Sequence, residues 1–218
     1  MGLSHGMHAE RPDPRRGTAA DRAWIVESCT RAFRADPIVR WLFPDDIRWP
    51  QRAALFFGFL FDIRLAGGLV EVTSDRAAAA LWTPPGGNRR GPDWVSARWA
   101  EVAQRLEAAE LTRMDLFEAL MTGAHPSEPH WYLGVLVTRP DAQGGGRASA
   151  LLARGLARAD ADLVPAALET GTSANVAFYR RRGFEVRTRR TLPGGPDVWL
   201  VERQPGDPHL SPSRTAPA

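Results

Sequence analysis

The feature that most restricts the fold is a junction near residue 140. An unbroken apolar run, Trp131-Tyr132-Leu133-Gly134-Val135-Leu136-Val137-Thr138, enters the loop Arg139-Pro140-Asp141-Ala142-Gln143-Gly144-Gly145-Gly146-Arg147, and a stretch with helical spacing of apolar residues follows. A strand-length run without polar alternation predicts a strand buried on both faces. Strand, glycine loop and helix in that order predict an α/β chain whose loop sits at the end of a central sheet. The glycines allow positive φ and close approach of a ligand to the backbone. The first N–H groups of the following helix, helped by its dipole, form an anion site, and Arg147 supplies a charge suited to a pyrophosphate. The loop lacks the Gly-Lys-Ser/Thr of a P-loop and the GxGxxG spacing of a dinucleotide fold. Taken alone, it fits phosphate binding and a plain tight turn equally.

Around this junction the chain reads as one domain at 18–203. Residues 1–17, rich in Pro, Arg and Gly, and the tail 204–218 have the composition of loosely ordered and disordered segments. Helices are predicted from Thr18 to a stop at Asp36-Pro37, then over 39–43, 50–65, 93–108, 111–121, 148–159 and 173–182. Strands are predicted over 69–73, 77–83, 131–138, 166–169, 184–189 and 198–201. Gly183 has the place of a helix C′ residue. The alternation of elements predicts a mixed α/β domain with one central sheet.

Composition excludes several classes. The chain has 28 basic residues against 25 acids, and every basic residue is arginine. The arginines are scattered and are not interleaved with an aromatic stripe, so no nucleic-acid partner is expected. The apolar run 53–60 is far short of the roughly 20 residues that cross a bilayer, so no membrane partner is expected. No apolar h-region opens the chain, and Cys29 is the single cysteine. The expectation is a cytoplasmic protein without a disulfide framework and without a metal.

Longer motifs then appear in order. Gln143-x-x-Gly146-x-Ala148 follows the apolar strand. Leu168-Glu169-Thr170 comes next, then Asn175-Val176-Ala177-Phe178-Tyr179-Arg180-Arg181-Arg182-Gly183-Phe184. Together they resemble the GNAT N-acetyltransferases. Thr18 to Asp21 with Ala32-Phe33 and Asp36-Pro37 resembles that family's first helix. Ala80 to Thr83, Glu128 to Trp131, and Leu192 to Trp199 are similar in order to the puromycin N-acetyltransferase group within the family. The likeness spans 18–203. Pro12 and Pro14 lie where the family has its first strand, so that strand is expected to be short or irregular.

The resemblance implies an α/β GNAT-like acyl-CoA N-acyltransferase fold: a central mixed, mostly antiparallel sheet flanked by helices. It implies acetyl-CoA as cosubstrate. Leu136, Val137 and Thr138 would hold the pantetheine arm and thioester through their backbone. Gln143, Gly144, Gly145, Gly146, Arg147, Ala148 and Ser149 would hold the pyrophosphate. Asn175 would touch the pantetheine, and Phe178 would pack against it. Tyr179 corresponds to the family's general acid, and its phenol remains protonated at neutral pH. Glu169, beside the reaction centre, is the first candidate for the base, with Asp36 and His130 behind it. The partners implied are acetyl-CoA and a small-molecule amine, an aminonucleoside-like antibiotic among the candidates, with the protein a monomer or homodimer. A protein amine as acceptor, or a non-catalytic acyl-CoA sensor, are the alternatives. Most of the tryptophans and phenylalanines in the first half are expected in the core, with a few lining the acceptor slot. Asp36, Asp45 and Asp46 are candidates to attract a cationic amine, or else simply end short helices.

Overall fold

The computed structural model describes residues 13–86 and 93–206. Most of the 1–17 segment, part of the loop after Thr83, and the tail beyond Gly206 lie outside the described residues. Seven strands form one sheet: β1 (Pro14–Arg16), β2 (Leu69–Thr73), β3 (Ala78–Thr83), β4 (Trp131–Thr138), β5 (Ala166–Thr170), β6 (Glu185–Thr191) and β7 (Asp197–Arg203). Their order across the sheet is β1-β2-β3-β4-β5-β7-β6, and every pairing is antiparallel except β4 with β5. The helices are α1 (Arg22–Ala32), α2 (Pro37–Leu42), α3 (Trp49–Gly67), α4 (Asp93–Ala103), α5 (Ala108–Met121), α6 (Arg147–Ala161) and α7 (Ser173–Arg180). This is the mixed, mostly antiparallel sheet expected, flanked by helices. No helix among the described residues is long and apolar enough to cross a membrane.

Within the described residues the chain begins with a short strand. Pro14, which has no N–H to give, opens a three-residue edge strand. Arg15 donates to both carboxylate oxygens of Asp21, at 2.8 and 2.7 Å. Asp21 also accepts from the Thr18 N–H and the Trp24 indole. This buried carboxylate therefore ties the edge strand to the entry of α1. The helix expected from Thr18 to Asp36 is interrupted at both ends by single 3-10 turns, Ala19–Asp21 and Phe33–Ala35. Asp36 then caps α2, accepting from the N–H groups of Ile38 and Val39.

Each face of the sheet carries its own core. On one face Ile25, Cys29, Leu42, Trp49, Phe57 and Phe61, from the first three helices and the segments between them, pack against Val70, Val72, Ala79, Leu81, Val135 and Val137. On the other, Leu151, Leu152, Leu156 and Ala159 of α6, with Tyr179 and Phe184, pack against Ala78, Ala80, Trp82, Leu133 and Leu168. In β4, Leu133 belongs to the second core but Val135 to the first, although both have the same parity. The register shift explains this: Trp82 pairs with Leu133 and Leu81 with Val135, which leaves Gly134 as the extra residue of a β-bulge. One extra residue reverses the face of everything after it.

Candidate active site

The bulge lies where the sheet opens. β4 and β5 pair only at Trp131 with Ala166 and Tyr132 with Ala167. Beyond Tyr132 the two strands part, so one edge of β4 has no strand partner among the described residues while β3 still covers the other. The opening leads into a cleft of about 1400 Å³. Its sheet side is made of Leu133 to Leu136, Leu168 to Thr170, Gly171, Asn175 and Tyr179. Its opposite wall comes from α3, α4, α5 and the region of α2, and is mainly aromatic and aliphatic: Phe56, Phe59, Trp99, Met114 and Phe117 among others. Phe59 and Trp99 pack with tilted rings, their centroids 5.1 Å apart.

At the far end of β4 the glycine loop turns into α6. Gly144 and Gly146 have φ of +83° and +75°, so both use the left-handed region that glycine permits. Gly146 is the N-cap of α6 and has no side chain to give; the first intrahelical bond is from the Ala150 N–H to the Gly146 carbonyl, at 3.0 Å. The N–H groups of Arg147, Ala148 and Ser149 are therefore left to point out of the helix end, which fits a pyrophosphate. The Arg147 guanidinium behaves differently from expectation. It donates to Asp75 at 2.7 Å and to the Ala142 carbonyl at 3.1 Å, bracing the loop against the β2–β3 turn. The guanidinium is thus occupied by Asp75 and Ala142, while the Arg147 N–H lies in the first turn of α6.

The loop is fastened to α7 as well. Arg182 donates to the Ser149 hydroxyl at 2.5 Å and to the Phe178 carbonyl at 2.6 Å, and its guanidinium lies 3.6 Å from the centre of the Phe178 ring. Asn175 donates from its side chain to the Thr170 hydroxyl at 3.1 Å, which closes α7 onto the end of β5. Tyr179 is buried, with 8% of its surface exposed, yet lines the cleft. Burial pushes its phenol up, against the pull of the Arg182 charge. The group is thus fully protonated at neutral pH and suited to donate.

Glu169 is the hub of a cluster. Tyr132 donates its hydroxyl to Glu169 Oε2 at 2.6 Å, and His125 Nε2 lies 2.5 Å from Glu169 Oε1. Both side chains of the His125–Glu169 pair are 8% exposed. The Tyr132 ring stands edge-on to the His125 ring, and Arg64 reaches over the Tyr132 ring from α3. The His130 ring stacks parallel to His125, at 6.3 Å, but His130 itself is outside the cleft lining. Neither His125 nor Tyr132 stands out in the sequence; the one signal is the strand position of Tyr132, two residues before an internal glycine.

Among the other candidates, Asp36 lines the cleft, and burial raises its carboxyl against the two backbone N–H groups it accepts from. Asp45 and Asp46 do not line it. Asp45 accepts from the Ile47 and Arg48 N–H groups, and Asp46 pairs with Arg34 and Arg40. Leu136 lines the cleft, while the Val137 side chain is in the core. Cys29 is 1% exposed and burial raises its thiol strongly, so it is no nucleophile. Among the described residues no group of three or more His, Cys, Asp or Glu could hold a metal.

Comparison with known proteins supports this geometry. The model of the "Acetyltransferase (GNAT) family" matches residues 108–184, from the start of α5 to the turn after α7. A solved structure from Corynebacterium glutamicum, described as histone acetyltransferase HPA2 and related acetyltransferase, is 26% identical, with 92% of this chain and 99% of that one covered and a TM-score of 0.66. Residues 108–184 thus carry a GNAT acetyltransferase domain, and the likeness supports a GNAT superfamily N-acetyltransferase. Within GNAT proteins the fold is shared at much lower identity. Arylalkylamine N-acetyltransferase 2 of Aedes aegypti is 10% identical over 89% of this chain and 99% of its own, with a TM-score of 0.61. The Drosophila melanogaster polyamine N-acetyltransferase is 11% identical over 88% and 99%, with a TM-score of 0.58. The chain is accordingly an acyltransferase of the acetyl-CoA-dependent type.

Proposed function

We propose that this GNAT protein transfers an acetyl group from acetyl-CoA to the primary amine of a small molecule by direct attack. The observation that carries the reading is the continuity of the cleft. One cavity joins the open edge of β4 to an aromatic wall made by α3, α4 and α5. The open edge of Leu136, Val137 and Thr138 would hold the pantetheine arm, with Asn175 and Phe178 alongside. The N–H groups from Gln143 to Ser149 would hold the pyrophosphate. An apolar wall desolvates an amine and its carrier, and a few carboxylates, Asp36, Glu118 and Glu169, face the same space.

Acetyl-CoA supplies an activated acyl group; the chain supplies position and protons. A relay through cysteine is ruled out by the burial of Cys29. Glu169 draws the proton from the attacking amine, and Tyr179 donates to the departing sulfur. The similar proteins named for arylalkylamines and polyamines favour an amine of low molecular mass. The likeness in motif order to puromycin N-acetyltransferases points to an aminonucleoside as the first compound to try.

The test is acetyl-CoA consumption across a panel of aminonucleosides, arylalkylamines, polyamines and amino-terminal peptides. The expected result is turnover of small amines with kcat/KM at least tenfold above that for peptides. Preference for peptides would replace this reading with a protein acetyltransferase. Tight CoA binding with no turnover at all would replace it with a sensor.

A further inference from the structure

The reading above leaves the amine's proton on a single glutamate, and the geometry around that glutamate asks for more. Carboxylates titrate well below neutral pH and are weak acceptors for an alkylammonium proton, whereas imidazoles titrate near neutrality and suit general-base work there. His125 and Glu169 are 2.5 Å apart and both nearly enclosed. An ionised Glu169 so close to Nε2 favours the tautomer with the proton on that nitrogen, and a neutral ring then has its lone pair on the other. Tyr132 donates to the other carboxylate oxygen at 2.6 Å, fixing its plane.

We propose that His125 and Glu169 act as one base, with the proton taken from the amine coming to rest on the His125 imidazole and Tyr132 positioning the pair. The inference rests on the acetyl-transfer reading. His125 comes from the segment that links α5 to β4, a region whose role the motifs around Gly146 and Tyr179 do not touch.

The step balances as follows. The ammonium loses one proton to the pair, leaving an imidazolium beside a carboxylate. The amine lone pair bonds to the thioester carbonyl carbon, and the carbonyl π electrons move to oxygen. As the carbonyl re-forms, the C–S bond breaks and its electrons go to sulfur, which takes the Tyr179 hydroxyl proton. The nitrogen's second proton replaces that one on the phenolate. The imidazolium then returns its proton to solvent, so one proton is released for each amide formed. A lone glutamate would be neutral after the first transfer. The pair instead ends as opposite charges in contact, an imidazolium against a carboxylate.

Other groups bear on the titration. Arg64 from α3 and His130 lie against Tyr132 and His125. Glu118 from α5, Asp36 before α2, and Tyr179 from α7 share the cleft. The experiment therefore follows His125 itself. Its ring is titrated by NMR in the wild type and in Glu169→Gln, and kcat/KM is measured against pH with an accepted amine. Three further variants, His125→Gln, His125→Ala and Tyr132→Phe, receive the same pH series.

Glu169→Gln should lower the His125 midpoint. His125→Gln should lose the ascending limb of the profile and about 10²–10⁴-fold in rate, with CoA affinity unchanged. Added imidazole should restore His125→Ala about tenfold or more, which a purely structural role would not allow. Tyr132→Phe should move the limb to higher pH, because a carboxylate relieved of one donor holds the imidazolium proton more firmly. A His125→Gln rate within about threefold of wild type, or a His125 midpoint indifferent to Glu169→Gln, overturns the proposal. If the coupling is intact but the wild type turns over no amine, the acetyl-transfer reading fails, and the pair's role as base fails with it.

Discussion

The Arg64 guanidinium occupies the space that a side chain on Gly134 would need: a Cβ built there would lie 2.4 Å from Arg64 Cζ and 2.0 Å from its Nη2. Arg64 is 5% exposed and also donates to the Leu60 carbonyl at 3.2 Å. The bulge thus opens the sheet and seats a buried cation beside the Tyr132 ring. Gly134→Ala should force this side chain out of its seat. We expect a stability loss of about 1–3 kcal/mol, as for overpacking elsewhere, and a larger fall in kcat than in CoA affinity. Chemical denaturation and steady-state kinetics on one preparation measure both. Unchanged activity would show that the Arg64 position does not matter to transfer.

The glycine loop makes a second, paired prediction. Gly146→Val places a β-branched residue at φ +75° in front of the helix end. The rise in melting temperature that CoA gives the wild type by mass action should disappear. Arg147→Ala, by contrast, should keep CoA affinity within about threefold, since the wild-type guanidinium is engaged by Asp75 and not by the ligand position. Calorimetry separates the two outcomes. A large loss in Arg147→Ala would mean that the arginine leaves Asp75 when CoA arrives.

Tyr179→Phe keeps the ring that packs against Phe184 at 5.5 Å and removes only the hydroxyl. We expect kcat to fall by about 10²-fold, at the low end for loss of a general acid, because thiolate is a tolerable leaving group. KM should change little, since the hydroxyl matters only when charge develops on sulfur. Equal turnover by variant and wild type, with chemistry rate-limiting, would remove Tyr179 from the mechanism.

Asp21 predicts a pH signature remote from the site. The Arg15 guanidinium first, then Trp24 and Thr18, hold its carboxyl far below the usual carboxylate range despite burial. A carboxyl depressed by folding contributes its full stability above the unfolded value of about 4 and loses it as the pH falls further. Asp21→Asn should therefore cost about 1–3 kcal/mol at pH 7, constant from pH 6 to 8, with the gap to wild type closing below pH 4. Thermal unfolding across pH reads this directly; a gap that widens in acid would contradict it.

The legible parts of this protein are those written locally. The order of strands and helices follows from runs, caps and glycines, and the Gln143–Ala148 and Asn175–Phe184 segments each lie within one stretch of chain. Pro14 foretold a short first strand, although not that Arg15 would anchor it to Asp21. The cluster at Glu169 was only one-third visible, because His125, Tyr132 and Glu169 come from a connecting segment and two strands that meet only in the folded sheet. Gly134 carried a signal that periodicity masked: a glycine inside an apolar strand marks a bulge, but the run on either side reads as continuous. The partner of Arg147 was not legible, because a charge beside a glycine loop has several acids within reach once the chain folds, and Asp75, 72 residues away in sequence, is the one it meets.

The two separate cores carry a consequence for divergence. The sheet works as a partition, with the Gln143–Ser149 loop supported from α6 and α7 and the aromatic wall supported from the opposite face. Substitutions that remodel the wall for a new acceptor need not disturb the packing behind the loop. A lineage of such chains is free to exchange one amine for another while inheriting its donor unchanged, and its sequences should drift apart faster before residue 125 than after it.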